Sequence, residues 1–120
     1  MTSITVEQRF EAAHRLPHVP EGHKCGRMHG HSYRVVVTLT GDVGVNGFVR
    51  DFAVVKAAWG DLHGQLDHQT LNDVVGLENP TAEVLAEWIF GQLVLALPEL
   101  TSVAVWETEK CSATYRPLVS

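Results

Sequence analysis

The sequence predicts a single α+β domain in which two helices cover one face of an antiparallel sheet. Segments of alternating polarity, typical of half-buried strands, lie towards both ends of the chain. Two segments with apolar residues at helical spacing lie between them. Strands and helices that are segregated in this way favour an antiparallel α+β architecture. The length of 120 residues suits one domain, which we expect to span 1–120.

The first strand is predicted at 4–16 and the second at 31–40, because apolar and polar residues alternate in both segments. Side chains two residues apart on a strand point to the same face. His14 and His31 therefore share the apolar faces of their strands. Two shorter strands, at about 101–107 and 111–117, are expected to complete a four-stranded sheet.

Two helices are predicted between the second and third strands. Asp51 is suited to cap a helix at roughly 52–66. The apolar stripe of this helix is expected to contain Phe52, Val55, Trp59, Leu62 and Leu66. The segment Asn79-Pro-Thr-Ala-Glu83 begins the second helix, with Asn79 as its expected cap, and this helix ends before Pro98. The predicted element order is therefore ββααββ.

Composition excludes several classes of partner. The formal net charge of −5 provides no basic field for nucleic acid or for an anionic membrane. No segment approaches the roughly 20 apolar residues of a membrane span, and residues 1–7 lack the features of a signal peptide. We therefore expect a cytoplasmic protein, in which Cys25 and Cys111 are free thiols.

Histidines are concentrated at the start of the second predicted strand. His29 and His31 would point to one face of an extended strand and could bind one ion from the same side. A third neutral nitrogen would make a three-histidine site, which leaves the fourth position of zinc open to substrate. A His-Gly-His segment alone is more typical of surface or capping histidines. Two observations favour the zinc interpretation: His14 lies on the apolar face of its strand, as His31 does, and Cys25 is close to both His29 and His31 in the sequence.

Six short motifs occur in order between about residues 4 and 116, and together they resemble the 6-pyruvoyl-tetrahydropterin synthase family. The three-residue gap between Cys25 and His29 resembles the bacterial 6-carboxy-tetrahydropterin synthase branch of that family. The motifs are Phe10-Glu-Ala-Ala-His14, Cys25-Gly-Arg-Met-His29-Gly-His31-Ser-Tyr33, Val49-Arg-Asp51-Phe52, Leu66-Asp67-His68, Glu78-Asn-Pro-Thr-Ala-Glu83 and Trp106-Glu107-Thr108.

This resemblance implies the tunnelling fold (T-fold), in which four-stranded units assemble into a closed barrel. It also implies a homo-oligomer, commonly a hexamer built as a dimer of trimers, with active sites between subunits. The implied activity is a zinc-dependent lyase reaction. It converts 7,8-dihydroneopterin triphosphate to 6-carboxy-5,6,7,8-tetrahydropterin, with release of acetaldehyde and triphosphate. This reaction is an early step of queuosine and 7-deazapurine biosynthesis.

The resemblance also implies which residues hold the metal. His14, His29 and His31 are expected to bind Zn²⁺, in agreement with the strand phasing. Cys25 is then expected to act as a proton-transfer base rather than as a fourth ligand. A thiolate that completed a closed site would exclude the substrate.

Further roles in proton transfer and substrate binding are expected, and those of His68, Asp67 and Glu107 depend on the resemblance. His68 is expected to shuttle a proton, with Asp67 as its carboxylate partner. The pair is expected to reach the active site of a neighbouring subunit. Asp67 and His68 need not contact each other within one chain. Glu107 is expected to anchor two adjacent N–H groups of the pterin and to take part in the proton relay. Arg27 is a candidate for the triphosphate, and Thr81 or Glu83 for the pterin. The other candidates for the triphosphate are Arg15, His18, His23 and Lys24. Without the resemblance, Asp67-His68 is typical of an ordinary helix C-terminus. Glu107 is then equally typical of a solvated residue at a strand end.

Two other classes of function stay open from the sequence. One is a neighbouring enzyme activity on the same ligands, either pyruvoyl-type elimination of triphosphate or aldol-type cleavage of the side chain. The other is a non-catalytic protein that binds zinc or a pterin. The sequence does not distinguish tRNA queuosine from deazapurine natural products as the destination of the product.

Overall fold

The computed structural model describes residues 1–118 and contains two helices against one five-stranded sheet. The strands are β1 (Thr2–His14), β2 (His29–Gly41), β3 (Gln69–Thr70), β4 (Leu100–Trp106) and β5 (Ser112–Tyr115). The helices are α1 (Phe52–Leu66) and α2 (Ala82–Leu93). The strand order across the sheet is β3-β1-β2-β4-β5, and every pairing is antiparallel except that of β1 with β3.

The predicted four-stranded sheet and the order ββααββ are wrong by one strand, because β3 lies between the two helices in the chain. This strand has only two residues, which pair in parallel with Ala12 and Ala13. A two-residue strand has no detectable alternation, and it forms only because the chain leaving α1 runs beside the end of β1. The α+β class itself is confirmed.

Strands β1 and β2 form a long pair of thirteen residues each, and their register positions the site. Pairing runs from Thr2 opposite Gly41 to His14 opposite His29. The first strand ends two residues earlier than predicted, and the second begins two residues earlier. All three histidines therefore lie at one end of this pair.

Helix α1 has the predicted bounds, and its cap is Asp51, whose Oδ1 accepts a hydrogen bond from the Ala53 N–H at 2.9 Å. Helix α2 differs, because Thr81 rather than Asn79 is its cap. The Thr81 Oγ1 accepts from the Val84 N–H at 3.1 Å, whereas the buried Oδ1 of Asn79 has no partner within the described residues.

The core lies between the helices and the inward face of the sheet, where Phe10 stacks on Tyr33 with ring centroids 4.8 Å apart. Val55, Trp59, Leu62 and Leu66 of α1 are buried as predicted, but Phe52 is half exposed. The prediction for Phe52 is wrong because it is the first residue of α1, and the buried residues of this helix begin one turn later, at Val55. No helix within residues 1–118 has the length and apolar character needed to cross a membrane.

Candidate functional site

Strand pairing brings three imidazole rings together at the end of the β1–β2 pair. His14 is the last residue of β1 and lies opposite His29, the first residue of β2. His31 follows on the same face. The ring centroids are 4.6 Å apart for His14 and His29, 4.9 Å for His29 and His31, and 5.1 Å for His14 and His31. One ligand nitrogen of each ring lies within 4.8 Å of the other two, which is close enough for all three to bind one ion.

The hydrogen bonds of two rings leave their Nε2 atoms free to bind a cation. His14 Nδ1 donates to the Pro80 carbonyl at 2.8 Å, and His29 Nδ1 donates to the Arg27 carbonyl at 2.7 Å. These partners assign the proton of each neutral ring to Nδ1. The two Nε2 atoms, 3.0 Å apart, then present lone pairs to each other, an arrangement that a shared cation would stabilise. Tetrahedral zinc with Zn–N bonds of ~2.0–2.1 Å separates its ligand nitrogens by about 3.3 Å, so the site fits Zn²⁺.

Burial favours the neutral form of His14 and His31, which is the form that metal binding requires. His14 is 1% exposed, and burial lowers its pKa from the usual value, against the opposing effects of the Pro80 carbonyl and Glu107. Burial likewise lowers the pKa of His31, again against Glu107. A neutral imidazole with a free nitrogen is the form that binds metal, because protons and metal ions compete for it.

The three histidines open into a cavity of about 420 Å³, which also contains a thiol, an ammonium group and a carboxylate. Cys25 lies in a 3₁₀ turn at Lys24–Gly26, whose position is fixed by a 2.8 Å bond from the Leu16 N–H to the Cys25 carbonyl. Cys25 lines this cavity but does not belong to the histidine cluster. Glu107 follows β4, and its Oε1 lies 3.9 Å from His14 Nε2. The cavity can therefore hold a small polar molecule beside a bound cation.

Asp67 and His68 lie in a different place. His68 lines a second cavity, of about 460 Å³, that shares only His31 with the first. His68 Nδ1 donates to Asp67 Oδ2 at 2.8 Å. The adjacent side chains meet because His68 has a φ of 57°, the one positive φ of a non-glycine residue within 1–118.

The Asp67 carboxylate is anchored to the neighbouring strand. Its Oδ1 accepts from the Glu11 N–H at 2.9 Å, and this bond, followed by that from His68, lowers the pKa of Asp67. The His68 side chain is 78% exposed. The structure therefore places an exposed His68, held by Asp67, in a cavity that meets the metal cavity of the same chain only at His31.

Two of the predicted substrate contacts, Arg27 and Thr81, do not line the metal cavity, whereas Glu107 does. Arg27 lines a third cavity, of about 380 Å³, behind the 3₁₀ turn. Its carbonyl orients His29, as described above. The Thr81 hydroxyl is engaged in the cap of α2.

Sequence reasoning missed the groups that orient His14. The carbonyl of Pro80 is one, and no sequence pattern marks it, because every residue has a carbonyl. Tyr33 is another, with Oη 3.2 Å from His14 Nδ1 and 1% exposure. Tyr33 lies two residues after His31 on β2 and therefore on the same face, a spacing that could have identified it from the sequence. Burial, followed by the charge of Glu107, raises the pKa of Tyr33, so its hydroxyl stays protonated.

Comparison with known proteins gives similarities over nearly the whole chain. A family model described as 6-pyruvoyl tetrahydropterin synthase matches residues 3–118. The chain is 48% identical to a Synechocystis sp. protein named 6-carboxy-5,6,7,8-tetrahydropterin synthase, over 96% of this chain and 93% of the relative. It is 32% identical to a Pyrococcus furiosus protein named dihydroneopterin monophosphate aldolase, over 87% of this chain and 88% of the relative. A solved structure of Caenorhabditis elegans 6-pyruvoyl tetrahydropterin synthase matches with a TM-score of 0.86 and 30% identity, over 98% of both chains.

Proposed function

Because the chain belongs to the 6-pyruvoyl tetrahydropterin synthase family, we propose that it converts 7,8-dihydroneopterin triphosphate to 6-carboxy-5,6,7,8-tetrahydropterin. Acetaldehyde and triphosphate are the other products. The relative with 48% identity carries the name of this enzyme and matches over almost its full length. The observation that carries the proposal is the cavity in which three imidazoles, a thiol and a carboxylate meet.

The proposed cofactor is one Zn²⁺ on His14, His29 and His31. Three neutral ligands leave one coordination position for the substrate and preserve the full charge of the metal. When bound, zinc would act as a Lewis acid that polarises the side-chain oxygens of the substrate. The Pro80 and Arg27 carbonyls support this assignment, because metal-bound histidines usually donate their second N–H to such a group.

Cys25 is the proposed base for the side-chain carbons of the substrate, which must lose protons. Its thiol lines the same cavity as the three histidines and Lys24. Glu107 is proposed to hold the aminopyrimidinone edge of the pterin, since a carboxylate can accept from two adjacent N–H groups at once. Arg27, with Arg15 and His23 around its own cavity, is the proposed contact for triphosphate oxygens, and Thr81 stays the proposed pterin contact.

The proton-transfer pair Asp67 and His68 is proposed to act on the metal cavity of a neighbouring subunit. Two features support this: His68 is exposed, and it does not line the metal cavity of its own chain. Strands β3 and β5 are also open sheet edges, which a homo-oligomer would cover. The assembly that the resemblance implies is a hexamer built as a dimer of trimers.

Two other reactions are the competing proposals. A relative named as an aldolase favours retro-aldol cleavage of the side chain, and the C. elegans structure favours elimination of triphosphate to a pyruvoyl product. Mass spectrometry of the products formed by zinc-loaded protein from dihydroneopterin triphosphate decides among them. We expect the 6-carboxy product with acetaldehyde. A 6-hydroxymethyl pterin or a 6-pyruvoyl pterin would contradict the proposal.

A biosynthetic role is proposed on the same basis. The product would supply queuosine or another 7-deazapurine, in the cytoplasm. Both Cys25 and Cys111 are free thiols, which suits a reducing compartment.

A further inference from the structure

The side chain of Asn72 bridges two segments that meet at His14. Asn72 lies in the 3₁₀ turn Leu71–Asp73 that follows β3. Its Oδ1 accepts from the Arg15 N–H at 3.0 Å, and its Nδ2 donates to the Arg15 carbonyl at 2.8 Å and to the Glu78 carbonyl at 3.3 Å. The backbone groups of Arg15 determine this orientation of the amide, because one of them is a donor and the other an acceptor.

These bonds continue the attachment of β1 beyond its pairing with β3. Gln69 and Thr70 pair with Ala12 and Ala13 through their backbones, and the Asn72 amide then occupies the place of a strand partner at Arg15. The end of β1 is therefore fixed on its outer edge at the residue that directly follows His14.

The other end of the bridge bonds the segment whose carbonyl orients His14. Glu78 lies two residues before Pro80, whose carbonyl accepts the proton of His14 Nδ1 at 2.8 Å. One amide group thus ties the segment that contains the imidazole to the segment that contains its hydrogen-bond partner. Loss of this bridge would let the Pro80 carbonyl move relative to the ring.

We propose that Asn72 is a positioning residue for the metal ligand His14. It sets the distance between the imidazole and the Pro80 carbonyl, and thereby holds the proton on Nδ1 and Nε2 towards the metal. This inference rests on the zinc site of the proposed function. Partners of metal-bound histidines contribute typically ~10–100-fold to metal affinity, and Asn72 acts on such a partner.

The test is Asn72→Asp, which preserves the size of the side chain and the acceptor for the Arg15 N–H. It removes both donated bonds and places a carboxylate oxygen beside two carbonyl oxygens. The added negative charge near the site would by itself strengthen cation binding. A weaker affinity for zinc could therefore not result from the added charge. Asn46→Asp is the matched control. Asn46 is exposed in the loop beyond the far end of β2, and its amide oxygen accepts from the Phe48 N–H.

Zinc affinity is measured by competition with a chelator, at a temperature at which all variants are folded, together with the absorption spectrum of the cobalt-substituted protein. We expect about 10-fold weaker zinc binding and an altered cobalt spectrum for Asn72→Asp, with both unchanged for Asn46→Asp. Affinity within twofold of the wild type and an unchanged spectrum would overturn the inference.

Asn72→Ala and nitrogen NMR of the histidine rings without metal provide the second arm. We expect weaker zinc binding in Asn72→Ala and a mixture of His14 tautomers, where the wild type has only the Nδ1–H form. An Nε2–H tautomer in the wild type, or failure of both Asn72 variants to fold, would overturn the specific role. Absence of zinc binding by the wild type would instead contradict the proposed function itself.

Discussion

His14 Nε2 lies 3.0 Å from His29 Nε2, although each ring donates its Nδ1 proton to a backbone carbonyl. Neutral rings in these tautomers have no proton to place between the two nitrogens. The pair is stable only when one ring is protonated or when a cation lies between them. Burial lowers the pKa of His14 and thus disfavours protonation of that ring. The arrangement is therefore suited to a metal ion.

Replacement of His31 by alanine should abolish stoichiometric zinc binding. Two imidazoles are too few for a stable zinc site, which requires at least three protein ligands. Metal analysis of the purified variant after dialysis measures the result. His18→Ala is the control, because His18 is exposed and lies outside the metal cavity. One zinc per chain in His31→Ala would contradict the ligand assignment.

Replacement of Cys25 by alanine should separate chemistry from metal binding. We expect wild-type zinc content and wild-type circular dichroism, with turnover reduced by about 100-fold or more, the usual contribution of a general base. Cys111→Ala, at the chain's other free thiol, which is exposed, should retain full turnover. Normal turnover by Cys25→Ala would exclude Cys25 as the base, and unchanged behaviour in every assay would favour a non-catalytic protein.

Subunit mixing tests where His68 acts. Cys25→Ala and His68→Ala should each be nearly inactive alone. If Cys25 and His68 come from different subunits, an equal co-expressed mixture should recover about a quarter of the wild-type rate. Each site then draws its Cys25 subunit and its His68 subunit independently, and each draw supplies the intact residue about half of the time. Steady-state rates of the purified mixture give the answer. A rate no higher than that of either variant would place both residues in the same chain.

Thr81 tests the cap of α2. Thr81→Ala should lower the free energy of unfolding by about 1 kcal/mol, because the Val84 N–H then has no side-chain partner. Thr81→Ser preserves the hydroxyl and should lose much less. Chemical denaturation of both variants at equal protein concentration provides the comparison. Equal losses in Thr81→Ala and Thr81→Ser would show that the hydroxyl does not act as the cap.

Alternation along the two long strands was sufficient to predict that His14 and His31 share an inward face, because a side chain's face follows from its position in the strand. Helix α1 was predictable for a similar reason, since the Asp51 cap and the spacing of its apolar residues agree. Both signals are local in the sequence.

The features that the sequence did not predict depend on contacts between distant segments. The two-residue strand β3 exists only through its pairing with β1. The contact of Asp67 with His68 requires a left-handed backbone at a histidine, which no sequence pattern specifies. The Pro80 carbonyl reaches His14 across 66 positions of the chain. The way in which subunits would complete the site lies beyond any pattern within one chain.

X-ray absorption spectroscopy of the zinc-loaded protein tests the central claim most directly. The account predicts a first shell of three imidazole nitrogens at ~2.0–2.1 Å and one further light atom from solvent or substrate. Sulfur scattering at ~2.3 Å, which would make Cys25 a ligand, or a fourth protein ligand that closes the site, would contradict it.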